Sequence, residues 1–301
     1  MNEVQFYSNY DFNRAVELRE TLTDSFEISY IPIFKDNFFI TKSRGNNEVV
    51  MDIPFELATL SDKKYFLGKL NEKEIWCIDL SEIKYSIVSN FLSHSKLSCV
   101  RDCFHLINEK EASLLAYAKG VATWNNTHQF CGKCGFATVI EEKGHRRKCS
   151  NNLCNSLHFP RINPAVIVLI EYKQEGAPPL CLLNMHKKEY GYMCSLFSGF
   201  SEIGESLEDT VIREMKEEVN VTVDTIKYIA SQPWSFPSSM MLGFSAQSKS
   251  KQFSIDNKEI KKAQWFSANQ ISEMVQKNKL VISKTDSISN YLIELWVKQN
   301  S

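Results

Sequence analysis

The chain has 301 residues, 43% hydrophobic and 24% charged, with a formal net charge of −1. That length accommodates two or three domains of ~100–200 residues, and a core that needs no covalent staples. Near-neutral charge excludes a global positive field for nucleic acid or anionic membrane, so any RNA contact has to be local.

The first twenty residues lack an apolar h-region and are too acidic for a standard transit peptide, and the final residues KQNS are not a peroxisomal tripeptide. A cytoplasmic location is expected, with peroxisome and mitochondrion left open. Residues 1 to about 107 mix strand-like runs (Phe26–Phe34, Glu74–Leu80) with polar turns and one short helix near Ser86, which predicts a β-rich or α+β domain. From Glu109 to Trp124 Ala112, Leu115, Ala116, Lys119 and Ala122 fall at helical spacing among strong helix formers. A compact segment with four cysteines follows. Beyond it come strand-like runs at RINPAVIVLIEY, LCLLNM and YMCSLFSGF, a helix at Leu207–Val219, strands at VTVDTIKYIAS, MMLGFSAQS and KKAQWFS, and a closing amphipathic helix, SISNYLIELWVKQ. This alternation predicts an α/β sandwich over residues 160–301. The longest apolar run, Ala165–Ile170, is strand-sized, so no membrane partner is expected.

The stretch from Gly199 to Val221 carries the most chemistry. Ser206 with Asp209 three residues on is an N-cap signature for a helix starting at Leu207. At about 100° per residue, Glu214, Glu217 and Glu218 share one arc, beside a core stripe of Val211, Ile212, Met215 and Val219. Carboxylates at i, i+3 and i+4 repel one another. They form either a solvated acidic face or, with a divalent cation to relieve the repulsion, a hard-oxygen site for Mg²⁺ or Mn²⁺, ions that also bind substrate phosphates. Arg213 can orient a carboxylate bidentately, and Gly199 and Gly204 permit tight turns.

Ser231–Ser239 reads SQPWSFPSS. Two prolines stiffen it, and Trp234 and Phe236 offer flat surfaces for stacking on a base or for packing in the core. Cys131 and Cys134 form a C-x2-C knuckle, and Cys149 and Cys154 follow as C-x4-C. In a reducing compartment this suggests a structural, four-thiolate Zn²⁺ site, the alternative being buried thiols without metal. The other five cysteines (Cys77, Cys99, Cys103, Cys181, Cys194) are read as buried core thiols.

The 23 residues from Gly199 resemble the Nudix box, with one departure, Asn220 where that family has glycine. SQPWSFPSS resembles the motif of the NADH pyrophosphatase (NudC-type) subfamily, with Ser235 replacing a proline, and that subfamily carries a zinc ribbon just ahead of its Nudix domain. The resemblance implies a Nudix α/β/α sandwich at 160–301, a zinc ribbon at 125–159 and a smaller N-terminal domain with its connecting helix at 1–124. It implies metal binding by Glu214, Glu217, Glu218, Glu259 and the Ser198 carbonyl, with Glu205 and Arg213 completing the catalytic set. Substrate contacts are implied for Phe159, Gln232, Pro233, Trp234, Ser235, Phe236, Pro237, Ser238, Ser239, Ser289 and Arg101. The implied reaction is metal-dependent hydrolysis of the pyrophosphate of NADH or NAD⁺ to AMP and nicotinamide mononucleotide, or removal of an NAD cap from RNA, by a homodimer. Two other readings stand beside it: a Nudix hydrolase of ADP-ribose or another dinucleotide, and a non-catalytic Nudix and zinc-ribbon binding module.

Overall fold

A computed structural model of the chain describes residues 6–8, 11–21, 27–43, 45–255 and 260–301. They form two compact units: Tyr7–Ile162 with the turn Trp234–Ser238, and Asn163–Pro233 with Ser239–Ser301 and Phe6.

The first unit opens with β1 (Ile28–Phe34), β2 (Asn37–Ser43), β3 (Asn46–Val49), α1 (Phe55–Ala58), β4 (Lys64–Leu70), β5 (Lys73–Asp79), α2 (Tyr85–Phe91), β6 (Ser95–Ser98) and α3 (Val100–Cys103). The strands make a six-stranded sheet in the order β3-β2-β1-β5-β4, with β6 on β2. Phe34, Phe39, Leu57, Ile78 and Val88 are buried together beside it. The long helix α4 (Glu109–Thr127) starts where Asn108 Oδ1 accepts from the Glu111 amide at 2.9 Å and the Glu111 carboxylate accepts from the Asn108 amide at 3.2 Å. The periodic residues of this helix are all buried, including Lys119, whose ammonium reaches Asp36 at 3.0 Å. A separate three-stranded sheet, β7 (Thr138–Glu141), β8 (Arg146–Cys149) and β9 (Leu157–His158), carries the cysteine segment.

The second unit is built on β10 (Asn163–Tyr172), β11 (Leu180–Lys187), β12 (Tyr192–Ser195), β13 (Phe197–Phe200), α5 (Leu207–Val219), β14 (Val223–Trp234), β15 (Ser239–Ser248), β16 (Ala263–Ser267), α6 (Ala268–Gln276), β17 (Leu280–Ile282) and α7 (Ile288–Asn300). Eight strands form one mixed sheet, β14-β15-β10-β11-β12-β17, with β13 on β10 and β16 on β11. β10 is apolar at successive positions because both of its faces are covered. Val166, Val168 and Ile170 pack with Val211, Met215 and Val219 of α5, while Ile167 and Leu169 pack with Ile288, Leu292 and Trp296 of α7. Leu182 and Leu183 of β11 divide between the two faces in the same way. This is the expected α/β/α sandwich. Each such fully buried aliphatic side chain contributes roughly 1.5–3 kcal/mol.

Two expectations need correction. YMCSLFSGF is not one strand: β12 pairs with β11 and β17, whereas β13 pairs with β10, so the chain changes partners at Leu196. Ile212 is not core but 47% exposed, because it lies past the edge of the stripe that Val211 and Met215 define. Of the five scattered cysteines, four are buried and Cys99 is only partly so.

Candidate active site and zinc ribbon

α5 begins at a reciprocal cap. The Asp209 amide donates to Ser206 Oγ at 3.1 Å, and the Asp209 carboxylate accepts from the Ser206 amide at 3.1 Å. The Ser206 hydroxyl, which donates to the Asp209 carboxylate at 2.7 Å, and then the Ser206 amide hold the Asp209 carboxyl below its ordinary range. The helix ends at Asn220, whose φ of 53° and ψ of 35° are left-handed. Asparagine tolerates this conformation, so the turn survives the family's glycine being absent.

Between these ends Arg213 is the hub. Its Nε and Nη2 grip both oxygens of Glu205 at 2.6 and 2.9 Å, its Nη1 reaches Glu214 Oε1 at 2.8 Å and Glu217 Oε2 at 3.0 Å, and Nη2 also donates to the Phe200 carbonyl at 2.9 Å. The bidentate partner is Glu205, which comes from the preceding loop and is further held by the Glu202 amide and the buried Thr210 hydroxyl. Arg213 first, and then the Glu202 amide, pull the Glu205 carboxyl down to about 2, and Glu205 in turn raises the Arg213 pKa. One cation thus offsets the repulsion among Glu205, Glu214 and Glu217. Thr210 was not visible as a site residue from the sequence; its place one turn before Glu214 on the same helix was the available signal.

Gly199 makes no tight turn. It lies inside β13, paired with Val166, and its role is spatial: a Cβ there would sit 1.9 Å from the Glu214 carboxylate. Its bare Cα is the cradle for that carboxylate. Glu214 is largely enclosed, Glu217 is exposed and Glu218 is 9% exposed, so the three acids present a graded edge from inside to solvent. A cradled carboxylate beside hard oxygen donors of this kind fits a divalent cation. Ser198 is on β13 next to the cradle. Glu259 lies outside the described residues.

The residues of the SQPWSFPSS segment divide. Gln232 is 1% exposed and fully engaged, donating to the Asp286 and Phe6 carbonyls and accepting from the Ile288 amide at 2.8 Å. Ser239 is buried in β15, and Ser289 of α7 accepts from the Leu196 amide at 3.0 Å. These three, with Pro233 at the end of β14, tie the sandwich together. The turn Trp234–Ser238 belongs to the other unit. There Trp234 and Phe236 meet edge to face at 5.1 Å, and Tyr7 packs edgewise on both at 6.1 and 5.5 Å. The Arg101 guanidinium of α3 lies 4.9 Å from the Trp234 ring centre and 5.9 Å from that of Phe236. Arg101 and the tryptophan motif are therefore brought together across 133 positions of sequence. Tyr7 gave no signal of its own. Ser235 lies against Gly120 of α4. Pro237 and Phe159 are exposed, and Ser238 is half-buried.

In the same unit the four sulfurs of Cys131, Cys134, Cys149 and Cys154 lie within 4.8 Å of one another, with no disulfide among them. Two of the edges, Cys131–Cys154 and Cys134–Cys149, measure 3.9 and 3.4 Å. A tetrahedral Zn²⁺ with Zn–S of about 2.3 Å needs edges near 3.8 Å, so the donor set fits that ion. The C-x4-C loop closes through the Cys154 and Asn155 amides, which both donate to Asn151 O at 2.9 Å. The Ser156 hydroxyl and amide bring the Cys154 thiol down to about 6, while burial pushes Cys149 up to about 12. Desolvation opposes ionisation of Cys131, but the Lys133 and Cys134 amides outweigh it and lower its pKa. His145 is not a ligand. It is buried, with Nε2 2.7 Å from the Phe66 carbonyl, and burial lowers its pKa to about 4.

Comparison with known proteins agrees with this geometry. Residues 161–286 match the NUDIX domain and residues 126–159 the NADH pyrophosphatase zinc ribbon domain. Human NAD-capped RNA hydrolase NUDT12 is 36% identical over 203 residues, which are 64% of this chain but 43% of that protein, so the chain spans less than half the length of this relative. NAD-capped RNA hydrolase NudC of Mannheimia succiniciproducens is 35% identical over 68% of this chain and 73% of its own length, and that of Vibrio vulnificus 29% over 79% and 82%. The chain belongs to the Nudix hydrolases. Within them, its ribbon and its relatives put it on the NADH pyrophosphatase (NudC-type) branch.

Proposed function

We propose that the protein hydrolyses the pyrophosphate of NAD(H), free or as the 5′ cap of an RNA. The observation that carries this is the Arg213-organised set of carboxylates on α5, with Glu214 seated over Gly199. The relatives' names support NAD as the substrate. Glu214, Glu217, Glu218 and Glu259, with the Ser198 carbonyl, would hold Mg²⁺ or Mn²⁺. When bound, such ions neutralise pyrophosphate charge and lower the pKa of water.

Glu218, the least exposed of the three helix acids, accepts the proton of the attacking water. The new P–O bond forms to that water, and the bond from phosphorus to the bridging oxygen breaks. NADH then yields AMP and reduced nicotinamide mononucleotide. Arg213 and Glu205 fix the carboxylates before substrate arrives, so little reorganisation accompanies the reaction. Trp234 and Phe236, steadied by Arg101 and Tyr7, offer ring faces to a base, and Phe159 offers another. The protein works as a cytoplasmic homodimer.

The test is incubation with NADH, NAD⁺ and ADP-ribose, with Mg²⁺, with Mn²⁺ and with chelator, the products being identified by mass spectrometry. Metal-dependent AMP and nicotinamide mononucleotide is the expected result. Cleavage of ADP-ribose alone would discard NAD and favour the second reading, to which Ser235 in place of proline lends support. No turnover of any pyrophosphate would leave a binding module.

A further inference from the structure

The ribbon sheet has one face turned in and one turned out. Thr138, Arg147 and Cys149 are buried, and the Arg147 guanidinium is spent on Thr138 and Asn125. Side chains alternate along a strand, so the intervening positions point outward. Val139 is paired with Lys148, and Lys148 with Leu157, which puts the three in one row across the sheet. Val139 and Leu157 are about half exposed, and Phe130, bridged to Ala137 on the same edge, is 69% exposed. Phe159 follows two residues after Leu157 and is also half exposed. Apolar side chains grouped this way around a lysine need a reason.

Charge identifies the occupant. From Asn126 to Ile162 the chain carries six basic and two acidic residues, against a net charge of −1 for the whole. The ribbon's ion pairs use Arg146, with Glu20, Glu141 and Glu142; Lys133 and Lys148 make none among the described residues. A second copy meeting this face with Lys148 near the two-fold axis would set lysine against lysine. A single-stranded polyanion meets cations for its phosphates and a phenyl face for its bases.

We propose that the outward face of the zinc ribbon is a platform for the single-stranded RNA that follows an NAD cap, with Lys148 on a phosphate and Phe130 under a base. The inference rests on the NAD-capped RNA reading above. The test uses the full chain and fluorescence anisotropy with an uncapped single-stranded RNA of about twelve nucleotides, over a salt series. In parallel, hydrolysis of NAD⁺ and of the same RNA bearing an NAD cap is measured. Lys148→Glu and Phe130→Leu are each expected to weaken RNA binding about fivefold or more and to lower kcat/KM for capped RNA in proportion, with NAD⁺ hydrolysis unchanged. Lys148→Glu also flattens the dependence of log Kd on log salt by about one. Zinc content equal to wild type certifies the ribbon, and Lys148→Gln replaces Lys148→Glu if it is not equal.

Wild-type affinity and salt slope in both variants would overturn the platform. So would light scattering in which either variant converts a dimer to monomers, since the face then belongs to a second copy. If the wild type cuts neither NAD⁺ nor capped RNA, the hydrolase reading fails. The anisotropy arm still judges the platform: weakened binding in the variants supports it, and no wild-type binding overturns it.

Discussion

On α5 three carboxylates come from one helix within five residues, whereas in the ribbon four thiols come from two separate segments with fourteen residues between the pairs. The helix set is handled by the protein itself, since Arg213 bonds Glu205, Glu214 and Glu217 and the cap and the buried stripe of Val211, Met215 and Val219 hold the helix regardless. The thiol set has no arginine. Its members are driven apart in acidity, Cys154 down to about 6 and Cys149 up to about 12, and short turns with the small β7-β8-β9 sheet close the segments around them. A catalytic centre built on a self-sufficient element can exchange its ions freely. A centre whose ligands span separate segments uses the ion as part of its fold.

The strongest way to break this comparison is Glu218→Gln. Turnover is expected to fall about 10²–10⁴-fold while circular dichroism and the melting temperature stay put. Wild-type rates in that variant would remove α5 from the chemistry. Next is Gly199→Ala, which drives a methyl into the Glu214 carboxylate and costs about 10²-fold in kcat/KM with the fold kept. A full-rate Gly199→Ala enzyme would mean that Glu214 has no fixed position.

Metal removal sharpens the contrast. Stripping zinc, or Cys134→Ser, is expected to lower the melting temperature by about 4 °C or more, while chelating Mg²⁺ alone leaves it unmoved. Equal melting curves in all three cases would put the ribbon's stability elsewhere. The smallest effect concerns acid. His145 is buried with its pKa lowered from 6.5 to about 4, so its contribution is present above pH 6.5 and lost as pH falls from there towards 4. Arg14 and Arg19 add to the depression, and the ring of Tyr117 packs nearby. His145→Gln is expected to narrow the drop in melting temperature between pH 7 and pH 4.5 by about 2–4 °C, read by calorimetry.

Legibility followed locality. The limits of α5 were readable because its cap, its period and its left-handed end are all written within fifteen residues. Strands β10 and β11 were readable as apolar runs, but the break at Leu196 was not, since Tyr192–Phe200 is apolar across a change of partner that periodicity does not record. The ribbon strands are two to four residues long and β8 is Arg-Arg-Lys-Cys, so no alternating pattern had room to show. In the site, the link from Arg213 to the acids was legible in outline, whereas the Phe200 carbonyl and Thr210 join it only through the fold. Gly199 was read as a turn because one sequence does not distinguish a glycine needed for its torsion from one needed for its missing carbon. Tyr7 reaches Trp234 from the far end of the chain, and nothing local announces a partner 227 positions away.

The end of α5 has a consequence in time. Asn220 Nδ2 donates to Ser254 Oγ at 3.1 Å, and the Ser254 amide donates to the Val219 carbonyl at 3.0 Å. A glycine at 220 would supply the turn but only one of these two bonds. With both, fraying of the last helical turn and lifting of the segment around Ser254 become a single opening event. Amide hydrogen exchange should therefore find Asn220 and Ser254 protected to the same degree and released together.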